Sequence, residues 1–178
     1  VRFYARVLSA HLQGDVEKLA ELCALPSPLE LKRLAEFRLG IRRRDLSERA
    51  LHEMSGYGFS ALLEGEKHFC LGSAWEAHGN EDMAYNHYHR AAAAYRAVHC
   101  PRKGLRAHYN AVCSESRLRP HKNMLSEYQA IIEASRALGD SSFEGAALGM
   151  LSREFQIAGL LTQALEMAEA SIQCLSVE

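Results

Sequence analysis

Apolar residues recur along this chain three and four positions apart almost from end to end, and they seldom alternate. That spacing marks one face of an α-helix, whereas a half-buried strand would show a period of two. Val7, Leu8, His11 and Leu12 line a first face, which Gly14-Asp15 ends and restarts. Val16, Leu19, Leu22 and Cys23 line a second, stopped by the Pro-Ser-Pro run at 26–28. Proline there lacks the amide hydrogen and pushes its predecessor out of helical geometry. Leu31, Leu34, Ala35 and Leu39 predict a third helix ended by Gly40, and Leu46, Ala50, Leu51 and Met54 a fourth. Residues 55–59, with two glycines in three positions, read as the best internal linker.

Beyond the linker the predicted helices lengthen to roughly 16–20 residues. Their breaks fall at Gly79-Asn80, 100–104, 119–123, 139–142 and Gly159. Between them Ala, Leu, Glu and Arg dominate, all good helix formers. An all-α chain with connections this short favours antiparallel helical hairpins.

Internal periodicity sharpens that reading. Leu71, Gly72, Trp75, Gly79, Ala84, Tyr88 and Ala91 place Leu, a small residue and an aromatic on one helix. A turn glycine and a small–aromatic–small set on the next helix follow. Close packing requires that pattern: Gly72 lets the first helix approach the second at Ala84, while Trp75 and Tyr88 fill the wider gaps. The frame returns eighty residues later at Leu151, Ser152, Phe155, Gly159, Ala164 and Ser171, with Ala168 at the aromatic place. Midway it is degenerate: Tyr128 matches, but Glu115 stands for the first aromatic, Arg119 for the turn glycine and Met124 for the small residue.

This frame resembles the tetratricopeptide repeat, in a forty-residue form, most clearly over 65–98 and 141–176. The resemblance implies an all-α, right-handed superhelical stack of about four to five antiparallel hairpins. Residues 1–54 would supply degenerate N-terminal hairpins. Residues 60–178 would carry repeats at about 60–98, 102–138 and 141–176 in one continuous solenoid. It also implies a non-enzymatic scaffold or adaptor, because the first helices of this family line a concave groove that holds a protein or peptide segment. Counted from the frame, the groove positions are Glu66, Phe69, Ser73 and Glu76, then Arg106, Tyr109, Cys113 and Arg117, then Arg153 and Gln156. Members that clamp a terminal carboxylate carry lysine where this chain has Phe69 and Tyr109. An arginine-bearing wall beside those two aromatics suits a segment with apolar and acidic side chains.

Composition narrows the other classes. Twenty-one Lys and Arg against twenty-two Asp and Glu leave a formal charge of −1, so no global pull toward nucleic acid or membrane follows. Five scattered cysteines without a CxxC pair fit reduced thiols and a cytoplasmic setting. No run of about 18 apolar residues predicts a membrane span. The leading valine suits an alternative start codon or a segment of a longer chain.

No metal, cofactor or catalytic residue is expected. His87 and His89 are two apart, hence about 200° apart around a helix, and cannot chelate one ion from one face. His68 and Cys70 share that spacing, and His99-Cys100 is an adjacent pair. Solvent-facing or capping roles follow for the histidines. No glycine-rich elbow sets a cysteine beside a histidine. Lys32, Arg33, Arg38, Arg42, Arg43, Arg44 and Arg49 form the one basic run. It could serve an RNA-associated repeat through Arg42–Arg44, but no aromatic residues interleave it, and a solvated face is the simpler reading. A ligand-responsive sensor whose stack changes curvature is a further alternative. Leu161, Leu165, Ala168, Ile172 and Leu175 keep an apolar stripe, and self-association through Leu161, Leu165, Ile172 and Leu175 is expected.

Overall fold

The computed structural model describes residues 6–7, 9–10, 13–24 and 29–176, without the side chains of residues 19, 22–24, 30, 31, 61 and 62. The expected positions Leu8, His11 and Leu12 and the break at 26–28 lie outside the described residues, as do the side chains of Leu19, Leu22, Cys23 and Leu31. The elements are α1 (Val16–Ala24), α2 (Leu29–Arg43), α3 (Glu48–Gly56), α4 (Ala61–Ala77), α5 (Glu81–Ala97), α6 (Pro101–Leu118), α7 (Leu125–Leu138), α8 (Ser141–Ile157) and α9 (Leu161–Leu175). Among the described residues there is no strand, and no helix is long and apolar enough to cross a membrane.

Helix ends repeat one device. At Gly79 (φ 74°) the Asn80 amide reaches back to the Trp75 carbonyl at 3.0 Å, and the Gly79 amide to Glu76 at 2.9 Å. A left-handed residue closes the helix in this way by satisfying carbonyls that have no partner further along. The same pair of bonds recurs at His99, Gly139 and Gly159, in steps of twenty residues except at 119. Arg119 has φ −131°, and the chain takes the longer path to Leu125. There Glu115 accepts from Arg119 Nη1 at 2.6 Å and from Lys122 Nζ at 2.8 Å. The residue in place of the aromatic thus staples the turn that lacks its glycine. Asn80 and Asp140 cap the following helices, accepting from the amides of Met83 and Phe143.

Two expected breaks shift. Pro101 starts α6, as proline suits the first helical position, so Gly104 lies inside the helix. Gly40 lies inside α2, which ends instead at Arg44 (φ 56°). A Cβ at Gly40 would stand 2.5 Å from the Leu46 side chain, so glycine there serves close packing.

The hairpin registers are set by glycines under large side chains. A Cβ on Gly65 would meet Tyr95 at 2.7 Å, and one on Gly72 would meet Tyr88 at 2.7 Å. Moving forward on α4 moves backward on α5, so the two helices are antiparallel. Gly72 therefore makes room for the Tyr88 ring, not for an approach at Ala84 as the sequence frame suggested. Eighty residues on, a Cβ on Gly145 would meet Leu175 at 2.8 Å, and one on Gly149 would stand 3.4 Å from Ser171 Oγ. Hydroxyls close this second hairpin: Ser152 donates to the Ala164 carbonyl at 2.6 Å, and Ser171 to the Gly145 carbonyl at 2.7 Å. In the middle hairpin Arg102 donates to the Leu138 carbonyl, while Tyr128 faces Cys113. Buried side chains fill the seams: Leu71, Trp75 and Tyr88 in one cluster, Met124, Tyr128, Ile131 and Leu148 in another. Each fully buried aliphatic side chain contributes about 1.5–3 kcal/mol relative to exposure.

Residues 57–60 are tied back to α4. Lys67 Nζ donates to the Tyr57 carbonyl at 2.9 Å, pairs with Glu64 at 2.6 Å and lies over the Phe59 ring.

Candidate functional site

The first helices of the three hairpins, α4, α6 and α8, meet side by side through long side chains. Glu66 on α4 accepts from Arg38 on α2 at 2.7 Å, from the Tyr95 hydroxyl at 2.8 Å and from Lys103 on α6. One helical turn along, the Arg106 guanidinium lies 5.3 Å from the Phe69 ring centre, a cation–π distance. Phe69 also meets Tyr88 edge-on at 5.5 Å. Further along, Glu76 takes Arg117 and the Tyr88 hydroxyl, and Arg117 Nε reaches Glu81 at 2.8 Å. Burial works against the charge on Arg117, yet Glu81 and Glu76 hold its pKa above the ordinary value. Between α6 and α8, Tyr109 meets Phe143 edge-on at 6.0 Å, and Ser116 donates to Glu154 at 3.1 Å.

The candidate groove residues thus fall into three groups. Phe69, Ser73, Glu76, Arg106, Tyr109 and Arg117 stand together along this row, half-buried or exposed. Glu66 and Cys113 are turned inward: Glu66 is 4% exposed within its cation cluster, and Cys113 is 8% exposed between Tyr109 and Tyr128. Neither offers a free surface group. Burial raises the Cys113 thiol and the Tyr109 hydroxyl above their usual pKa values, so both stay neutral at physiological pH. Arg153 and Gln156 are exposed on α8, where Gly149 occupies the place that Phe69 and Tyr109 hold in the preceding hairpins. None of the three cavities described is lined by a candidate groove residue. The apolar one, about 370 Å³, lies among α5, α6 and α7 at Ala92, Gly104, His108 and Ala134.

The histidines require a correction. His68 and His87 are both buried, and their Nδ1 atoms lie 2.9 Å apart across α4 and α5. His68 Nε2 sits 3.3 Å from Glu64 Oε1, which assigns its proton to Nε2 and leaves Nδ1 to accept from His87. Burial, with Lys67 and Arg90 near His68 and with His68 and Arg90 near His87, lowers both pKa values to about 4. His87 was legible as an inward position, since it shares the Ala84–Ala91 face; its partner lay on another helix, beyond the reach of single-helix spacing. Forty residues later the same two places hold His108 and Glu127, 3.8 Å apart, and forty further on Leu148 and Met167. His78 occupies the C-cap of α4 and its Nε2 lies 2.9 Å from the Leu46 carbonyl, while His89 is exposed. Among the described residues no group of three or more His, Cys, Asp and Glu side chains could hold a metal ion.

The basic run does not form one face. Arg38 is buried against Glu66, Arg33 lies over Tyr57 at 4.2 Å, and Arg49 pairs with Glu53. Arg42, Arg43 and Arg44 are exposed, and Arg44 carries the left-handed turn that ends α2. The self-association residues Leu161, Leu165, Ile172 and Leu175 share α9 and are exposed by 52–68%. Cys70, Cys100, Cys113 and Cys174 are free thiols, with burial pushing Cys70 up to about 11. Compared with family models, with curated proteins and with solved structures, the chain matches none.

Proposed function

We propose that this chain is a tetratricopeptide-like stack of helical hairpins that serves as a non-enzymatic adaptor. It holds a protein or peptide segment along the row formed by α4, α6 and α8. One observation carries the reading: Arg106 is exposed, makes no ion pair among the described residues and stands over the half-buried Phe69, with Tyr109 one turn away. A guanidinium braced on an aromatic keeps its donors aimed outward at little entropic cost, and that favours a segment pairing an acidic with an apolar side chain. The eighty-residue return of Gly65–Tyr95 as Gly145–Leu175 supports the repeat on which the proposal depends. Glu76–Arg117 closes one end of the row and sets its register.

The test is affinity capture from cells that express the chain, followed by titration of the captured segment as a labelled peptide. Phe69→Ala/Tyr109→Ala and Arg106→Ala should each weaken binding at least ~10-fold, the scale of one interface anchor. Unchanged melting curves would show that the fold persists. A partner retained at full affinity by the double variant would overturn the groove reading.

A further inference from the structure

The exposed face of α9 is organised in a way the groove does not use. Leu161, Leu165, Ala168, Ile172 and Leu175 follow a four–three–four–three spacing and fall within roughly 80° of the helix circumference. Four of them are more than half exposed, and Ile157 and Leu160 extend the patch at the α8–α9 turn. Together they present on the order of 600 Å² of apolar surface, the upper end of what a monomer usually shows. A standard interface takes ~800 Å² from each partner, so this patch with its polar rim is of the right size.

The rim is charged asymmetrically. α8 adjoins the side of α9 that carries Ala164 and Ser171, through the Ser152–Ala164 and Ser171–Gly145 bonds. Arg153, next to Ser152, is exposed on that side and makes no ion pair among the described residues. Glu166 and Glu169 stand exposed on the opposite edge, within two turns of Ala164, and α9 carries no cation of its own.

We infer that this face is an isologous interface with a second copy of the chain, the two α9 helices running parallel. A two-fold axis along the paired stripes carries the Glu166–Glu169 edge of each copy onto the Arg153 edge of the other. It also sets each leucine against its own counterpart. A two-fold axis across the helices would set glutamates on glutamates and arginine on arginine, and like charges there oppose pairing. The pairing takes Arg153 away from the groove and is independent of the groove reading.

Sedimentation velocity of the whole 178-residue chain across a concentration series tests this. The wild type should sediment as a dimer. Leu165→Glu/Ile172→Glu should sediment as a monomer with unchanged helicity, since both side chains face solvent in the isolated copy. Arg153→Glu should weaken the dimer at least ~10-fold, and mixing it with Glu166→Lys/Glu169→Lys should restore association as a heterodimer. A wild type that stays monomeric at every concentration, or a dimer that survives Leu165→Glu/Ile172→Glu, overturns the interface. An Arg153→Glu dimer of unchanged strength overturns the parallel arrangement.

Discussion

His68 and His87 share one hydrogen bond, 2.9 Å between Nδ1 atoms, in the buried seam of the α4–α5 hairpin. The bond needs at least one neutral ring, since two imidazolium rings would offer two donors and no acceptor. Their folded pKa values of about 4 lie below the ordinary 6.5, so the unfolded chain binds more protons between those limits. Stability is therefore full above about pH 6.5 and falls as the pH drops toward 4. Urea unfolding at pH 7.5, 5.5 and 4.5 should show a loss on the order of a few kcal/mol. His68→Leu/His87→Met, which copies Leu148 and Met167 eighty residues on, should flatten that acid dependence. An unchanged slope would dismiss the pair as its source.

Glu66 joins α2, α5 and α6 through one buried carboxylate. Glu66→Gln leaves the buried Arg38 beside a neutral amide and should cost about 3–5 kcal/mol in urea unfolding. Arg38→Met/Glu66→Met removes both charges at similar volume and should cost far less, because no charge then remains desolvated. Equal losses in the two variants would count against an ionic origin.

Gly72 and Gly104 should respond to alanine with opposite signs. Gly72→Ala drives a Cβ to 2.7 Å from a Tyr88 ring whose hydroxyl is held by Glu76. Overpacking of that kind costs ~1–3 kcal/mol, more than the ~1 kcal/mol that alanine returns in helix propensity. At Gly104 the nearest atom to an added Cβ is 3.7 Å away, so Gly104→Ala should stabilise by about 0.5–1 kcal/mol. Calorimetry should show the melting temperature falling for the first and rising for the second.

His99 is a left-handed turn residue (φ 54°) at a place where Gly79, Gly139 and Gly159 serve the other hairpins. His99→Gly removes the Cβ strain and should raise stability by about 0.5–1 kcal/mol. Arg119→Gly should bring no gain, since φ there is −131° and the Glu115 bond to Arg119 would be lost.

Much of the hairpin architecture was written in small and large residues. Leu71, Trp75, Ala84, Tyr88 and Ala91 all turn inward, and Gly79 ends its helix where the glycine stood. The end of α2 at Arg44 and the turn at His99 were illegible, because a non-glycine residue carries the left-handed geometry and nothing in its side chain announces it. Gly40 misled for the converse reason: its small size serves the Leu46 side chain, not a turn. The groove row was legible only as a face. Helical spacing found Glu66 and Cys113, but their burial depends on Arg38, Lys103 and Tyr128, which come from other helices.

The two flanks of α6 are joined by different materials. Where α5 meets α6, a Cβ added to Gly104 would stand 3.7 Å from the Tyr95 Cβ and 3.9 Å from the Ala92 carbonyl oxygen. Where α4 meets α6, the connection runs through the flexible stems of Lys103, Arg106 and Arg117. Such stems change length by turning about single bonds at a cost of about a kcal/mol or less. Helix α6 is thus held on one side by near-backbone packing and on the other by side-chain stems. The cation–π contact of Arg106 with Phe69 belongs to that side-chain edge.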